Sequence, residues 1–241
     1  MFTTEGPTFR ELTVQALSSI ERGYDLLAPK FDHTPFRTPE RFLDATGEML
    51  EALGPFDAGL DVCCGTGAGV GMLKPVCRKR VVGVDFSAGM LEAARESVPA
   101  EGAPAVDWVR ADARELPFEG DFDLAVSFGA FGHFLPSERP AVFAGVHRAL
   151  RPGGVFAFPI GAPQPLSSPL YWAMLGFDSV MRVRNALWRP SFVMYYRTFP
   201  LRGVSEDLER AGFAVRLLPM EEFGRREDGS PNWRLVVAER L

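Results

Sequence analysis

Apolar positions set two different rhythms along this chain. Over residues 9–27, Phe9, Leu12, Leu17, Ile20, Leu26 and Leu27 recur at roughly helical spacing, so a helix is predicted there. A proline-rich break spans Pro29 to Pro39, and a second helix is expected over about 39–53, stopping before Gly54-Pro55. From residue 58 the texture changes to short, nearly continuous apolar runs: 58–64, 81–85, 105–112, 122–128 and 154–160. Between them lie helical patterns at about 68–76, 87–98 and 137–150, the second opening on Ser87 as its N-cap. Strands alternating with helices predict parallel βαβ units, and all-apolar strands predict a sheet covered on both faces. The rhythm lapses over 161–200, a stretch rich in Pro, Met and aromatic residues, where a helix over about 168–188 and an extended segment are expected. It resumes with a helix over 204–213, closed by a glycine, and strands at 213–219 and 232–240. Only a loop joins those two strands, so they are expected to be antiparallel neighbours. One domain over 1–241 is expected: an N-terminal helical cap (1–55), a ligand-binding core (56–160), an insertion serving as a substrate lid (161–202), and a C-terminal helix and strand pair (203–241).

Composition narrows the function classes. The net charge of −5 comes without a long basic stripe, because Arg78-Lys79-Arg80 and Arg225-Arg226 are short and isolated. Nucleic acid is therefore not an expected partner, since affinity for it rests on neutralising phosphates. No apolar run approaches the ~18 residues of a membrane span, and the first residues lack the basic-then-apolar pattern of a secretory signal. The three cysteines, Cys63, Cys64 and Cys77, have no accompanying histidine cluster. They read as small reduced thiols in a cytoplasmic protein, with no metal site.

The candidate chemistry concentrates in Leu60-Asp61-Val62-Cys63-Cys64-Gly65-Thr66-Gly67. Glycines after a strand let the chain turn sharply into a helix and approach a ligand closely, beside the helix's free N–H groups. A dinucleotide fingerprint needs G-x-G-x-x-G/A. Counting from Gly65 puts Val70 at the third position, and counting from Gly67 puts Met72 there. Neither register fits. Asp61, four residues before Gly65, would repel a pyrophosphate but attract an ammonium group. Asp85 ends the second strand, 20 residues after Gly65, where an acid meets the ribose hydroxyls of an adenosine ligand. Asp112, followed by Ala113, ends the third strand and is placed to accept from an adenine amino group. Each has a plainer reading as well: Asp61 and Asp112 as turn residues, Asp85 as a helix cap, Met90 as packing.

Taken together, LDVCCGTG, VVGVDFSAGML, VRADARELPF, FDLAVSFGAFGHF and LRPGG, in this order and at these intervals, resemble class I S-adenosylmethionine-dependent methyltransferases. Within that class the chain is most similar to the ubiquinone/menaquinone-biosynthesis group and its small-molecule relatives. The resemblance covers about residues 58–160, with weaker support from the LERAGF helix and the final strands. It implies a Rossmann-like three-layer α/β sandwich, whose seven-stranded, mostly parallel sheet has an antiparallel last strand. It implies S-adenosyl-L-methionine as cofactor. Gly65, Thr66 and Gly67 would then hold its methionine part, Asp85 its ribose and Asp112 its adenine. Phe86 and Met90 would flank the adenine, Ala113 would offer a backbone N–H, and Ser127 and Phe128 would approach the methionyl group. Tyr24, in Tyr24-Asp25, resembles the segment that closes over the cofactor. The group usually has glycine where this chain has Cys63, and a Cys-Cys-Gly-Thr version is familiar in menaquinone-type members.

Methyl transfer is an in-line attack on an activated carbon, so a protein mainly aligns the nucleophile and excludes water. A base is needed only where the acceptor must lose a proton. His133 follows the fourth strand, at the sheet edge where ligands sit in open α/β folds, and is the candidate base; it could also be a packed or capping histidine. His33 and His147 have less to recommend them. The aromatic 161–200 stretch points to an apolar or aromatic small-molecule acceptor, methylated on oxygen, carbon or nitrogen. It could equally form a lid core or a homodimer surface. A non-catalytic S-adenosylmethionine or S-adenosylhomocysteine sensor, and an NAD-dependent oxidoreductase, stand as the alternatives.

Overall fold

The computed structural model describes residues 6–34, 36–99, 102–197 and 199–241. The first five residues of the expected cap lie outside that range. Helices α1 (Phe9–Leu17) and α2 (Ile20–Leu27) precede a 3-10 turn (Ala28–His33) and α3 (Glu40–Leu53). The alternating core follows: β1 (Phe56–Val62), α4 (Ala68–Val76), β2 (Cys77–Asp85), α5 (Ala88–Ser97), β3 (Ala105–Arg110), β4 (Phe122–Val126), α6 (Arg139–Ala149) and β5 (Leu150–Gly161). Then come α7 (Pro169–Leu187), α8 (Leu201–Arg210), β6 (Phe213–Pro219) and β7 (Trp233–Arg240).

The seven strands form one sheet in the order β3-β2-β1-β4-β5-β7-β6. β1, β2, β3, β4 and β5 pair in parallel, while β7 runs antiparallel to both β5 and β6. Strand periodicity explains the three layers. Successive side chains leave the sheet on opposite faces. Leu60, Val82, Ala125, Phe156 and Val236 pack on one side with Val142 and Phe143 of α6 and Leu208 of α8. Their immediate neighbours Val81, Leu124, Val155 and Leu235 pack on the other with Leu50 of α3, Leu73 of α4 and Leu91 of α5. The central strands bury both faces, which is why they read as unbroken apolar runs. This is the α/β fold that the sequence implies.

Several boundaries differ from expectation. The single helix predicted over 9–27 is two helices, because Ser18 is extended (ψ 177°) and the Ser19 hydroxyl accepts from the Arg22 N–H to cap α2. Serines compete for backbone groups in this way and favour helix ends over interiors. β2 starts at Cys77 rather than 81. β5 starts at Leu150, running through the Pro152-Gly153-Gly154 turn signal with a register shift against β4. β3 ends at Arg110, so Ala111 and Asp112 leave the sheet, and Asp112 caps a 3-10 turn at Ala113–Glu115.

In this strand order β1 lies between β2 and β4, and the chain reverses its winding there. Ligands of open parallel sheets lie at such a switch point, beyond the carboxyl ends of the strands. Asp61, near the end of β1, and Asp85, the last residue of β2, therefore share one rim.

Candidate active site

A cleft holding about 1240 Å³ of space, open to solvent at its mouth, lies over that rim. Its floor comes from the β1–α4 turn. Cys63 (φ 61°), Gly65 (φ 51°) and Gly67 (φ 88°) all adopt the left-handed conformation. That geometry explains why the resembling family places glycine where this chain has Cys63: a side chain there costs about 1–2 kcal/mol of backbone strain. Gly69 is required for a different reason. A Cβ on it would sit 2.3 Å from Asp61 Oδ2 and 2.9 Å from the Phe128 ring, so the first turn of α4 can lie against the carboxylate only without a side chain.

Asp61 is 1% exposed, and neither carboxylate oxygen makes a hydrogen bond of good geometry. Burial, followed by the neighbouring Asp85 charge, pushes its pKa well above the carboxylate range, while the Val70 N–H acts in the opposite direction. Asp85 is held differently. Its oxygens accept from the Gly65 N–H and the Ser87 N–H, each at 2.9 Å, which fixes the side chain while leaving lone pairs for a ligand. Burial raises its pKa and those backbone donors oppose the rise.

Asp112 lines the same cleft but is engaged elsewhere. Its Oδ1 accepts from the backbone N–H and Nε of Arg114, both at 2.9 Å, and Oδ2 accepts from Nε at 3.0 Å and Nη2 at 2.5 Å. Arg114 also bonds Glu138 at 2.5 Å and holds the Asp112 carboxyl below its ordinary range. Two donors on each oxygen fill its acceptor capacity, so an adenine amino group must displace Arg114.

Cys63, Gly65, Thr66, Phe86, Met90, Ala113, Phe128, His133 and Tyr24 line the cleft with these acids. Two expected residues lie apart from its lining. Ser127 is buried with its hydroxyl donating to the Val62 carbonyl at 2.7 Å, and Gly67 faces the opposite side of the turn, where its Cβ position meets Trp108 and Val98. Burial pushes the Cys63 and Cys64 thiols well up, so neither is a ready nucleophile.

The roof comes from the N-terminal helices and the stretch after α7. Tyr24 Oη lies 2.6 Å from His133 Nε2, and His133 Nδ1 lies 2.8 Å from the Val193 carbonyl. A carbonyl only accepts, so Nδ1 carries the proton, and Nε2 accepts from the Tyr24 hydroxyl. Burial lowers the His133 pKa below 6.5 and raises that of Tyr24, so both are neutral at pH 7. His147, by contrast, packs edge-on against Phe213 away from the cleft.

Sequence reasoning missed part of this roof. Asp25 Oδ1 accepts from Ser87 Oγ (2.6 Å) and the Gly89 N–H (3.0 Å), pinning α2 onto the start of α5. Asp32 accepts from Thr66 Oγ1 at 2.7 Å, tying the 3-10 turn to the glycine turn. Arg37, Phe31 and Phe36 join the lining. The proline-rich break concealed Asp32, Phe31, Phe36 and Arg37, and although Tyr24-Asp25 resembles a closing segment, partners 34 and 62 residues apart leave no local pattern. Among the described residues no group of His, Cys, Asp or Glu could hold a metal ion, and no helix is long and apolar enough to cross a membrane.

An α/β sheet with two acids on adjacent strand ends, a glycine turn and no dinucleotide register fits a protein that binds an adenosine ligand other than a dinucleotide. Comparison with known proteins makes this specific. A methyltransferase domain family matches residues 60–154. An uncharacterized methyltransferase of Synechocystis sp. is 36% identical over 151 residues, 62% of this chain and 67% of that one. A 2-phytyl-1,4-naphtoquinone methyltransferase of Synechococcus elongatus is 30% identical over 148 residues, 59% of this chain and 63% of that one. The chain thus spans about two thirds of the length of these curated relatives. In fold it is similar to magnesium protoporphyrin IX methyltransferase from Synechocystis with bound S-adenosylhomocysteine (TM-score 0.58, 19% identity, 84% of this chain and 83% of that one). The chain belongs to the class I S-adenosylmethionine-dependent methyltransferases. It is a methyltransferase that uses S-adenosylmethionine, and the dinucleotide oxidoreductase and sensor readings fall away.

Proposed function

We propose that this methyltransferase acts on an apolar, ring-bearing small molecule, and that the Tyr24–His133 pair serves as its proton acceptor. The observation that carries the proposal is the division of one cleft into two halves. One half is acidic and strand-borne, at Asp61 and Asp85. The other is lined by Ile20, Phe31, Phe36, Phe134 and Val193, with His133 and Tyr24 beside them. Aromatic and aliphatic walls with few polar groups select an apolar ring. A relative whose name specifies a phytyl naphthoquinone supports that choice.

The residues fit the cofactor on their own chemistry. The buried Asp61 carboxylate suits an α-ammonium group, Asp85 suits ribose hydroxyls, and Phe86 and Met90 offer faces for a purine. Asp112 joins them once Arg114 releases it. Cys63, Gly65, Thr66, Ala113 and Phe128 complete that half, with Gly67 and Ser127 shaping it from behind. When bound, S-adenosylmethionine supplies a sulfonium-activated methyl carbon. The chain's own part is orientation and proton removal. An acceptor hydroxyl that replaces the Tyr24 phenol at His133 Nε2 gives up its proton to that nitrogen, and the Val193 carbonyl holds the resulting imidazolium through Nδ1–H. Residues 1–55 and 161–202 act as cap and lid over a 56–160 core, with 203–241 completing the sheet. The three unpaired thiols fit a reducing, cytoplasmic setting.

The test is calorimetric titration with S-adenosylmethionine and S-adenosylhomocysteine, followed by a screen of naphthoquinols, phenols and N-heterocycles. Asp85→Ala is expected to weaken both ligands at least tenfold, and turnover is expected on an apolar ring. Turnover confined to polar aliphatic acceptors would defeat the proposal.

A further inference from the structure

The outward face of α7 leaves an apolar surface uncovered among the described residues. Trp172 (58%), Val180 (66%), Val183 (58%), Leu187 (81%) and Trp188 (52%) are exposed, as is Leu170 at the helix start. At 100° per residue Trp172, Val180, Val183 and Leu187 fall within about 80° of one another on one side of the helix, and Trp188 follows its last residue. The inward face has a different role: Met181 packs with Phe192 and Tyr195, and Ile20, Tyr24 and Val193, which line the cleft, pack on that cluster. The apolar surface thus lies one helix thickness from the acceptor chamber.

A neighbouring element repeats the pattern. α1 buries no residue and exposes Phe9, Val14 and Leu17. A nine-residue helix gains little stability without a packed face, so it needs a surface to lie on. Arg184 Nη2 donates to the Ser18 carbonyl at the α1–α2 junction, which brings that helix pair against α7.

Charge decides what covers the face. Residues 161–202 carry five arginines and one acid, Asp178, in a chain of net charge −5. Asp178 is buried and spent on the Tyr196 and Arg197 N–H groups. Arg182 and Arg197 lie over the Tyr195 and Tyr171 rings, and Arg184 and Arg189 donate to neutral oxygens, contacts that leave their charges uncompensated. A second copy would bring this patch against itself and set arginine near arginine. An anionic lipid surface meets both features: headgroups for the arginines, acyl chains for the aliphatic stripe, and an interface for the tryptophans.

From these observations we infer that α7 and α1 form a face that docks on anionic bilayers, placing the acceptor chamber where an apolar ring partitions. The acceptor part of the inference rests on the function proposed above, but the docking part does not. The test is sedimentation of the full chain with vesicles of phosphatidylcholine alone, or with one quarter phosphatidylglycerol. The protein is expected to pellet with the anionic vesicles and to be released by salt. Val180→Glu with Val183→Glu, both on the outward face, is expected to lower that binding about fivefold or more, as is Arg189→Glu. S-adenosylmethionine affinity and turnover of a water-soluble acceptor are expected to stay at wild-type values, which separates loss of docking from loss of the methyltransferase site. Three results would overturn the inference: no pelleting, unchanged pelleting of the variants, or a dimer in sedimentation equilibrium that the glutamates dissociate.

Discussion

Asp61 has two buried carboxylate oxygens and no well-formed hydrogen bond to either, so the bare protein carries an electrostatic cost that the proposed cationic ligand would remove. Its raised pKa sets the sign of two effects. Ligand binding favours the ionised form, so S-adenosylmethionine affinity should rise with pH through that elevated value, and binding should release a proton. Calorimetry in buffers of different ionisation enthalpy reads this release directly. For folding, a raised carboxyl contributes stability that is full below the ordinary carboxylate range and lost as pH climbs through the raised pKa. Asp61→Asn should therefore melt higher than wild type by a margin that grows from pH 5 to pH 9. That margin should reach about 1 kcal/mol, or ~2–4 °C for a chain of this size. The same variant should bind cofactor at least tenfold more weakly, and a parallel loss of melting temperature would show that the carboxylate has a structural partner instead. At His133 the lowered pKa places the acid limb of kcat below 6.5. His133→Gln should reduce kcat by about 10²-fold or more with little change in cofactor affinity. Tyr24→Phe, which frees Nε2 without removing it, should cost less. A limb at or above 6.5 would mean that another group accepts the proton.

At the level of elements, the sequence was informative wherever structure is local. The βαβ texture, the glycine turn and the acids closing β1 and β2 could all be read, because period-2 burial and strand-end chemistry leave a short-range trace. The roof could not. Asp25 reaches Ser87 across 62 residues and Asp32 reaches Thr66 across 34, and no periodicity encodes such a pair. Asp112 shows the complementary failure: its position at the third strand's end was legible, but the Arg114 that occupies it two residues later was not read as a competitor. Asp25 also yields a prediction at this scale. It joins α2 to the N-terminus of α5 through two hydrogen bonds, one of them to the exposed start of a helix. Asp25→Ala should cost about 1–2 kcal/mol, concentrated in the docking of α2. Hydrogen exchange should accelerate over residues 20–33 and stay unchanged in β1, β4 and β5. Uniform acceleration across the sheet would mean that α2 is part of the cooperative core.

For the whole molecule, the cleft divides the structure into a rigid floor and a roof held by a few polar contacts. The floor belongs to a sheet whose central strands are buried on both faces. The roof is fastened by Asp25–Ser87, Asp32–Thr66 and Tyr24–His133, and each of these contacts has its far end on a segment that borders the cleft. Ligand binding and roof docking are therefore coupled: a ligand that orders the glycine turn and the β2–α5 junction also fixes the partners the roof needs. Cofactor at a hundred times its Kd should stabilise the protein by about 2.7 kcal/mol by mass action alone. A chain of this size should then melt ~5–11 °C higher. The distribution of that gain is the sharper test. Exchange protection should rise over residues 20–37 as strongly as over 61–69 and 85–90. Protection confined to the strand ends would show a roof that closes independently of the cofactor, and closure would then have to come from the acceptor.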